Sequence, residues 1–480
     1  MRLKWGIKAY ALLERLNILI LSLARLAGSM RLKLKDFGPI AEADLLIRPF
    51  TVLTGANAVG KSYVAYALWC LLSVEPDWWK LREIIESRLD GALESPSEAA
   101  PAFKEALLEV FLNLSAVFRE RLEELLRDAF QVDALGEIVR QGSAEGRVEV
   151  CSDDNSACLT FVLSDGGLEI EGCRELAKVL SAGLLVDVSA VKEGLLVELR
   201  FGGELLNRFK VSTKEDAAVR IAATIPSLMV RALDGFYMYA DCVVLPDGRA
   251  GLLRTVQALS YVLLSTREQA LVNAVDSSFI RRLQALPPRV ASEEIASLAA
   301  FFEERMGAAF SVGREPPRFR VAVRGVELPL ERAPSGLREV APLIYVLRHA
   351  LRPGSFLVVE EPEAHLHPDA QALVTRVLAG LAKRGVTVVA TTHSLHVVDE
   401  LSNLLRLGSL SPEEKSELGY EEWEGLRPGE ICVYHIEADG RVMEVEVSEE
   451  GLDETGLDRV ASDLAGAYAA VERYFRSRGP

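Results

Sequence analysis

The sequence predicts an α/β fold: a parallel sheet covered on both faces, with a large α+β segment inserted between its two halves. Three observations predict it. Two apolar runs, "SFLVV" (355–359) and "VTVVATT" (386–392), are continuous rather than alternating, as parallel strands buried on both faces are. Helical text precedes each, over 337–350 and then over 368–384, closed by Gly385. A third strand, "FTVLTG" (50–55), passes through a glycine-bounded turn into the helical stretch that begins at Lys61.

Taken in order, residues 1–29 read as an N-terminal extension, an amphipathic helix or a segment outside the fold. Its apolar run Leu16–Ala24 is too short to span a bilayer, and no small-residue cleavage site follows. No membrane role and a cytoplasmic location are therefore expected. Residues 30–75 form the first part of the core, with strand text "RLKLKDF" and "AEADLLIRP" ahead of "FTVLTG". Residues 76–335 form the insertion. Its first part, 77–140, is expected to be helical with "SPSEAAP" as a loop, and lacks the sustained heptads of a long coiled coil. From 145 to 212 the text alternates around turn pairs such as Asp165-Gly166 and Gly202-Gly203, predicting an antiparallel meander. Helical text resumes near 214, "CVVLPDGRAGLL" (242–253) is a strand entering a loop, and "RFRVAVRGVELPL" is a short strand pair. Residues 336–435 are the second part of the core, and 436–480 a C-terminal strand and helix.

Composition narrows the function. The net charge of −16 repels nucleic acid overall, so DNA binding has no support beyond a local basic groove. Six cysteines without a CxxC pair argue against a zinc ribbon or a disulfide scaffold and fit a reducing compartment.

The stretch "GANAVGKS" (55–62) fits G-x-x-x-x-G-K-[ST]. Gly55 and Gly60 let the backbone curl so that the amides of Ala56, Asn57, Ala58 and Val59 turn inward, with a helix N-terminus behind them. Lys61 is placed to bridge the outer phosphates of a nucleotide and Ser62 to ligand Mg2+, with Tyr63 beside them. The plain alternative is a glycine-rich turn before a helix. "SFLVVEEPEAHLHP" ends a buried strand in two carboxylates. Glu360 is expected to hold Mg2+ through water, and Glu361 to polarise the water attacking the γ-phosphate. Two adjacent carboxylates repel, and a bound cation offsets that cost. His393, after the strand "VTVVATT", is expected at the same sheet edge, either as a γ-phosphate sensor or as part of a plain helix N-cap cluster with Thr391, Thr392 and Ser394. His365 and His367 read as loop residues rather than a zinc pair, and His396 as structural.

"GANAVGKS", "APSGLREVAPLIYVL", "LVVEEPEAHLHP" and "ATTHS", in this order, carry a family likeness. The chain resembles the ABC-type ATPases of the RecF, SMC and OLD group, often filed as AAA-family ATP-binding proteins, over about 30–75 and 325–435. The resemblance implies a P-loop NTPase fold of ABC type. It implies that Ser335 and Gly336, in the signature piece, bind the γ-phosphate of an ATP held by the other protomer, and that two protomers sandwich two ATP molecules. It implies an ATP hydrolase with ATP and Mg2+ as ligands, acting as a homodimer in DNA maintenance or antiviral defence. The alternative is a slow regulatory switch that scaffolds a separate nuclease or toxin effector. Only 87 residues follow His393, without a buried strand ending in Asp-x-Asp, so no intrinsic nuclease is expected. A transporter subunit and a long-armed SMC protein are set aside.

The chain departs from that pattern in several places. Pro334 stands where relatives carry Ser, Glu360 replaces Asp, and Pro342 should kink or end the signature helix. Gln131 and Gln141 are the candidates for a glutamine-bearing loop. "LPDGRAGLL" resembles a strand-loop of related sequences, which brings Arg249 towards the nucleotide or the dimer interface.

Overall fold

The computed structural model describes residues 30–453, apart from 235, 237, 239, 240, 254–271, 288 and 314–317, together with residue 473. The expected extension 1–29 and the C-terminal helix lie outside the described residues. Along the chain the strands are β1 (Met30–Phe37), β2 (Ile40–Ile47), β3 (Phe50–Gly55), β4 (Gly146–Cys151), β5 (Cys158–Ser164), β6 (Gly167–Glu171), β7 (Leu184–Val191), β8 (Gly194–Phe201), β9 (Glu204–Val211), β10 (Cys242–Leu245), β11 (Ala308–Gly313), β12 (Arg318–Val323), β13 (Val326–Pro329), β14 (Phe356–Glu360), β15 (Thr387–Thr392), β16 (Ile431–Ile436) and β17 (Val442–Val445). The helices are α1 (Lys61–Ser73), α2 (Trp78–Arg88), α3 (Pro96–Leu112), α4 (Leu114–Phe130), α5 (Cys173–Gly183), α6 (Lys214–Ala232), α7 (Ala274–Gln284), α8 (Glu293–Met306), α9 (Ser335–His349), α10 (Pro368–Lys383), α11 (Leu395–Leu407) and α12 (Pro412–Glu417).

The sheet that matters for function has the order β10-β14-β15-β3-β16-β17. All its pairings are parallel except that of β16 with β17. Alternation along each strand sends side chains to two separate cores. Phe50, Val52, Leu357, Val359, Val388 and Val433 enter one, while Leu53, Phe356, Val358, Val389, Cys432 and Tyr434 enter the other. Both faces are therefore apolar, which is why these strands read as unbroken hydrophobic runs. The C-terminal ends of β3, β14 and β15 share one edge of the sheet, fixed by the register Glu360↔Thr391 and Thr392↔Thr54. Among the described residues, no helix is long and apolar enough to cross a membrane.

The segment 76–335 is less separate than its text suggests. β10 comes from within it, yet pairs in parallel with β14, Cys242↔Phe356 to Leu245↔Val359, as the edge strand of the central sheet. Likewise β4, β5 and β6 do not stand apart. They extend β1 and β2 into an antiparallel sheet of order β2-β1-β4-β5-β6. The expected single meander over 145–212 is split by α5, leaving β7-β8-β9 as its own sheet, and β12-β13 gains β11 as a third strand. Alternation reveals a strand but not its neighbour, because pairing is decided by burial elsewhere in the chain.

Three local expectations also change. "SPSEAAP" opens a helix rather than forming a loop: Ser95 accepts a hydrogen bond from the Glu98 amide at 3.4 Å, and Pro96 takes the first helical position, where a missing N–H costs nothing. Pro342 neither ends nor bounds α9, which continues through it to His349. The helix buries Leu337, Val340, Leu343, Ile344 and Leu347, and at about 1.5–3 kcal/mol per buried apolar side chain this outweighs the ~3 kcal/mol penalty of an internal proline. Finally, Cys151 and Cys158, opposite each other in the β4–β5 register, form a disulfide seven residues apart. The remaining cysteines, 70, 173, 242 and 432, are free and buried.

Candidate functional site

β3 is buried along its whole length between β15 and β16 and delivers Gly55 to the sheet edge. Gly55 (φ 144°) and Gly60 (φ 114°) take backbone conformations that L side chains avoid. A Cβ at Gly60 would stand 2.7 Å from Ile40 Cδ1, and one at Gly55 2.7 Å from the Ile436 carbonyl oxygen. Both ends of the loop are thus pressed against the protein, and Val59 is buried beneath it. Ala56, Asn57 and Ala58 between them are exposed. α1 starts immediately after, with no side chain capping its first amides. Lys61 curls back over the loop, its Nζ donating to the carbonyls of Gly55 (2.9 Å) and Ala56 (2.8 Å). Burial lowers its pKa, opposed by Glu361, Glu363 and Glu360 in that order. An open loop, a helix N-terminus and a cation held only by neutral carbonyls fit an entering phosphate chain, which offers that ammonium charged acceptors instead. Tyr63, also expected here, is the third residue of α1. Its ring packs on Phe130 at 4.9 Å and Phe37 at 6.1 Å, and works as part of an aromatic cluster beneath α1.

Across the sheet edge, Glu360 is almost fully buried at 3% exposure. Its Oε2 accepts a hydrogen bond from the Tyr66 hydroxyl and from the Asp247 amide at 3.4 Å. Burial, and then Glu360, push the Tyr66 phenol far above its ordinary pKa, so it stays a donor. Tyr66 lies four residues after Ser62, on the same face of α1. That places the Glu360 carboxylate along the face that begins with the exposed Ser62 hydroxyl, an oxygen donor set suited to Mg2+. Asp276, at the start of α7, has its pKa raised by burial and then by Glu360.

Glu361 stands at φ 41°, a left-handed conformation that costs a non-glycine residue about 1–3 kcal/mol. Its amide donates to the Thr391 carbonyl (3.0 Å) and hydroxyl (3.2 Å). Its carboxylate Oε1 lies 3.3 Å from His393 Nδ1. Burial raises its pKa, with His393 the first group pulling it back. Glu363 is buried too, at 4%. Its Oε1 accepts from the Thr392 hydroxyl and from the His393 amide at 3.3 Å, while Oε2 finds no partner among the described residues. Lys61, Glu360, Glu361 and His393 are therefore brought to one edge, as their positions after three strands require.

The signature piece lies beside this edge. α9 begins at Ser335 with no side-chain cap, Ser335 is exposed, and a Cβ on Gly336 would come within 3.3 Å of the His365 carbonyl oxygen and Leu366 Cδ2. The helix start thus rests on the turn that follows the two carboxylates. His367 caps α10, accepting from the Asp369 amide at 3.4 Å, and His365 is an exposed turn residue at φ 60°. Gln131 closes α4 in a left-handed conformation and, like Gln141, is exposed.

Arg249 reaches this edge from inside the protein. It is buried at 2% exposure, and its guanidinium donates to carbonyls of its own chain instead of reaching outward. Sequence reading missed Tyr66, Glu363, Asp247 and Asp276. Glu363 carried a signal, a third acid two residues after Glu361. Tyr66 and Asp276 carried none, since a helix face and a distant helix meet Glu360 only in three dimensions.

Residues 296–399 match the family model described as "AAA domain, putative AbiEii toxin, Type IV TA system". The matched segment takes in α9, β14, α10 and β15 and does not include the loop at 55–62. No curated protein matches the chain. Among solved structures the chain is similar to an SMC head bound to the C-terminal winged-helix domain of ScpA, at 11% identity and a TM-score of 0.40 over 87% of this chain and 97% of that one. It is similar to the SMC head domain from Thermotoga maritima at 11% identity and a TM-score of 0.35, covering 88% of this chain and 100% of that one. A third is an Smc head domain with an extended coiled coil bound to the C-terminal domain of ScpA, derived from Pyrococcus furiosus, at 11% identity and a TM-score of 0.36, with coverages of 91% and 98%.

Proposed function

We propose that this chain is an ABC-type P-loop ATPase that binds ATP on the loop 55–62 and hydrolyses it within a dimer that the nucleotide closes. The observation that carries the reading is the meeting of Lys61, Glu360, Glu361 and His393 at one sheet edge, with the Glu361 carboxylate 3.3 Å from His393 Nδ1. The loop amides and Lys61 hold the phosphates. Ser62 and Glu360 hold Mg2+, which when bound neutralises phosphate charge. Glu361 orients the attacking water and accepts its proton; its strained backbone and the Thr391 contacts fix where that carboxylate sits. His393, partnered with Glu361, senses the terminal phosphate. Ser335 and Gly336 close over the ATP of the partner, since an uncapped helix start favours an anion.

Substituting Glu361→Gln keeps the shape of the side chain and removes the base. Under Mg2+ and ATP this variant should elute as a dimer on size exclusion and turn over at least about 100-fold more slowly than the parent. A monomer under saturating ATP refutes the closed dimer, and undiminished turnover refutes the role of Glu361. A second reading, a slow regulatory switch that scaffolds a separate nuclease or toxin effector, is favoured by the toxin–antitoxin description of the family that matches 296–399. Turnover measured with and without DNA separates the two: DNA stimulation supports DNA maintenance, and a slow rate indifferent to DNA supports the switch.

A further inference from the structure

Arg249 is one of the largest fully buried side chains among the described residues, and it is charged. Its Nε donates to the Glu339 carbonyl (3.0 Å). Its Nη1 donates to the carbonyls of Pro246 (3.1 Å) and Glu360 (2.7 Å), and its Nη2 to that of Glu361 (3.0 Å). One planar fork therefore joins three separate pieces of chain: the loop after β10, the first turns of α9, and the turn after β14. The Glu339 carboxylate, 1% exposed, lies 3.5 Å from Nε, and its Oε1 has no hydrogen bond. A buried pair at that separation is a poor source of stability by itself. What the arrangement supplies is rigidity at Glu361. The amide of that residue is held by Thr391 and its carbonyl by Arg249, so its left-handed backbone is clamped from both sides. Glu339 lies four residues, about one helical turn, after Ser335 on α9.

We infer that Arg249 is a positioning residue that ties the start of α9 to the backbone of Glu361, so that an anion drawn onto Ser335 and Gly336 resets the carboxylate that acts on the nucleotide of the same chain. The inference rests on the ATP-closed dimer proposed above. Closure on one side of the molecule then licenses hydrolysis on the other, through a single guanidinium rather than through solvent-exposed contacts. Lysine cannot substitute, because one ammonium with three donors cannot span four carbonyl groups held in a fixed fork.

The test uses the full chain with Arg249→Lys, Glu339→Gln and the double variant, each confirmed folded by circular dichroism at the assay temperature. Affinity for a non-hydrolysable ATP analogue, ATP-dependent dimerisation by sedimentation, and kcat and KM at saturating protein concentration are measured. Arg249→Lys should lower kcat about 100-fold, the effect of misplacing a reacting group by about 1 Å. KM, analogue affinity and dimerisation should stay within about threefold of the parent, since the loop 55–62 and the uncapped start of α9 are untouched. Glu339→Gln should lower kcat in the same direction, and the double variant should be no worse than Arg249→Lys alone, as members of one link are non-additive. If Arg249→Lys does not fold, Glu339→Gln decides. A parent that dimerises while the folded variants keep kcat within threefold, or lose kcat and analogue affinity together, overturns the link. A parent that never dimerises under ATP overturns the dimer reading first, and the link with it.

Discussion

Substituting Gly60→Ala puts the phosphate loop to a quantitative test. Gly60 sits at φ 114°, well beyond the small left-handed region open to alanine, so the backbone alone costs about 1–3 kcal/mol. The new Cβ would stand 2.7 Å from Ile40 Cδ1 and 3.3 Å from Pro39 Cβ. The isoleucine tip can swing aside, but the proline ring cannot, which adds about 1 kcal/mol of overpacking. The loop relieves this by leaving its curled form rather than by unfolding the sheet. The total of about 2–4 kcal/mol should therefore appear in ATP affinity, weakening it about 30- to 700-fold at 1.4 kcal/mol per factor of ten. Titration calorimetry with a non-hydrolysable analogue reads this out, and the melting temperature should change little. Gly142→Ala is the control: φ is 94° but nothing lies within 4 Å of the added atom, so backbone strain is present without a nucleotide site. Analogue affinity within threefold of the parent in Gly60→Ala would refute the cradle.

Two further substitutions address the frame that holds the site. Arg376 bonds both oxygens of Glu424, approaches Glu400 at 4.0 Å and stacks over Tyr420 at 4.4 Å; Arg376→Ala strands a carboxylate that is 1% exposed and should cost about 3–5 kcal/mol in urea denaturation, a loss under about 1 kcal/mol showing that Glu424 finds another partner. The disulfide Cys151–Cys158 closes a short hairpin loop, so Cys158→Ser should cost about 2 kcal/mol; thiol titration of the unfolded, unreduced chain should find the four cysteines 70, 173, 242 and 432, and six reactive thiols would remove the disulfide.

The disulfide shows where sequence reading fails and why. Cysteines seven apart carry no recognisable spacing, and only the register Cys151↔Cys158 makes them neighbours. β10 shows the same failure from another side. "CVVL" is visibly a strand, but its parallel partner β14 begins more than a hundred residues later, and nothing local in the text names it. Pro342 fails differently, because a local rule was outweighed by burial of the helix around it.

What the sequence determined by itself is the set of elements whose chemistry is local. Two glycines five positions apart, then a lysine and a serine, after an apolar strand specify the loop 55–62, because backbone curl depends only on neighbouring residues. Continuous apolar runs ending in Glu360-Glu361 and Thr391-Thr392-His393 specify two buried strands with polar ends. Tertiary structure decided everything that depends on which ends meet. It aligned β14 and β15 so that Glu361 faces His393, turned Tyr66 onto Glu360, and buried Arg249 among carbonyls from three segments. The physical reason is that such contacts follow from register and burial across distant parts of the chain, and a buried donor must find whatever acceptor the packing supplies.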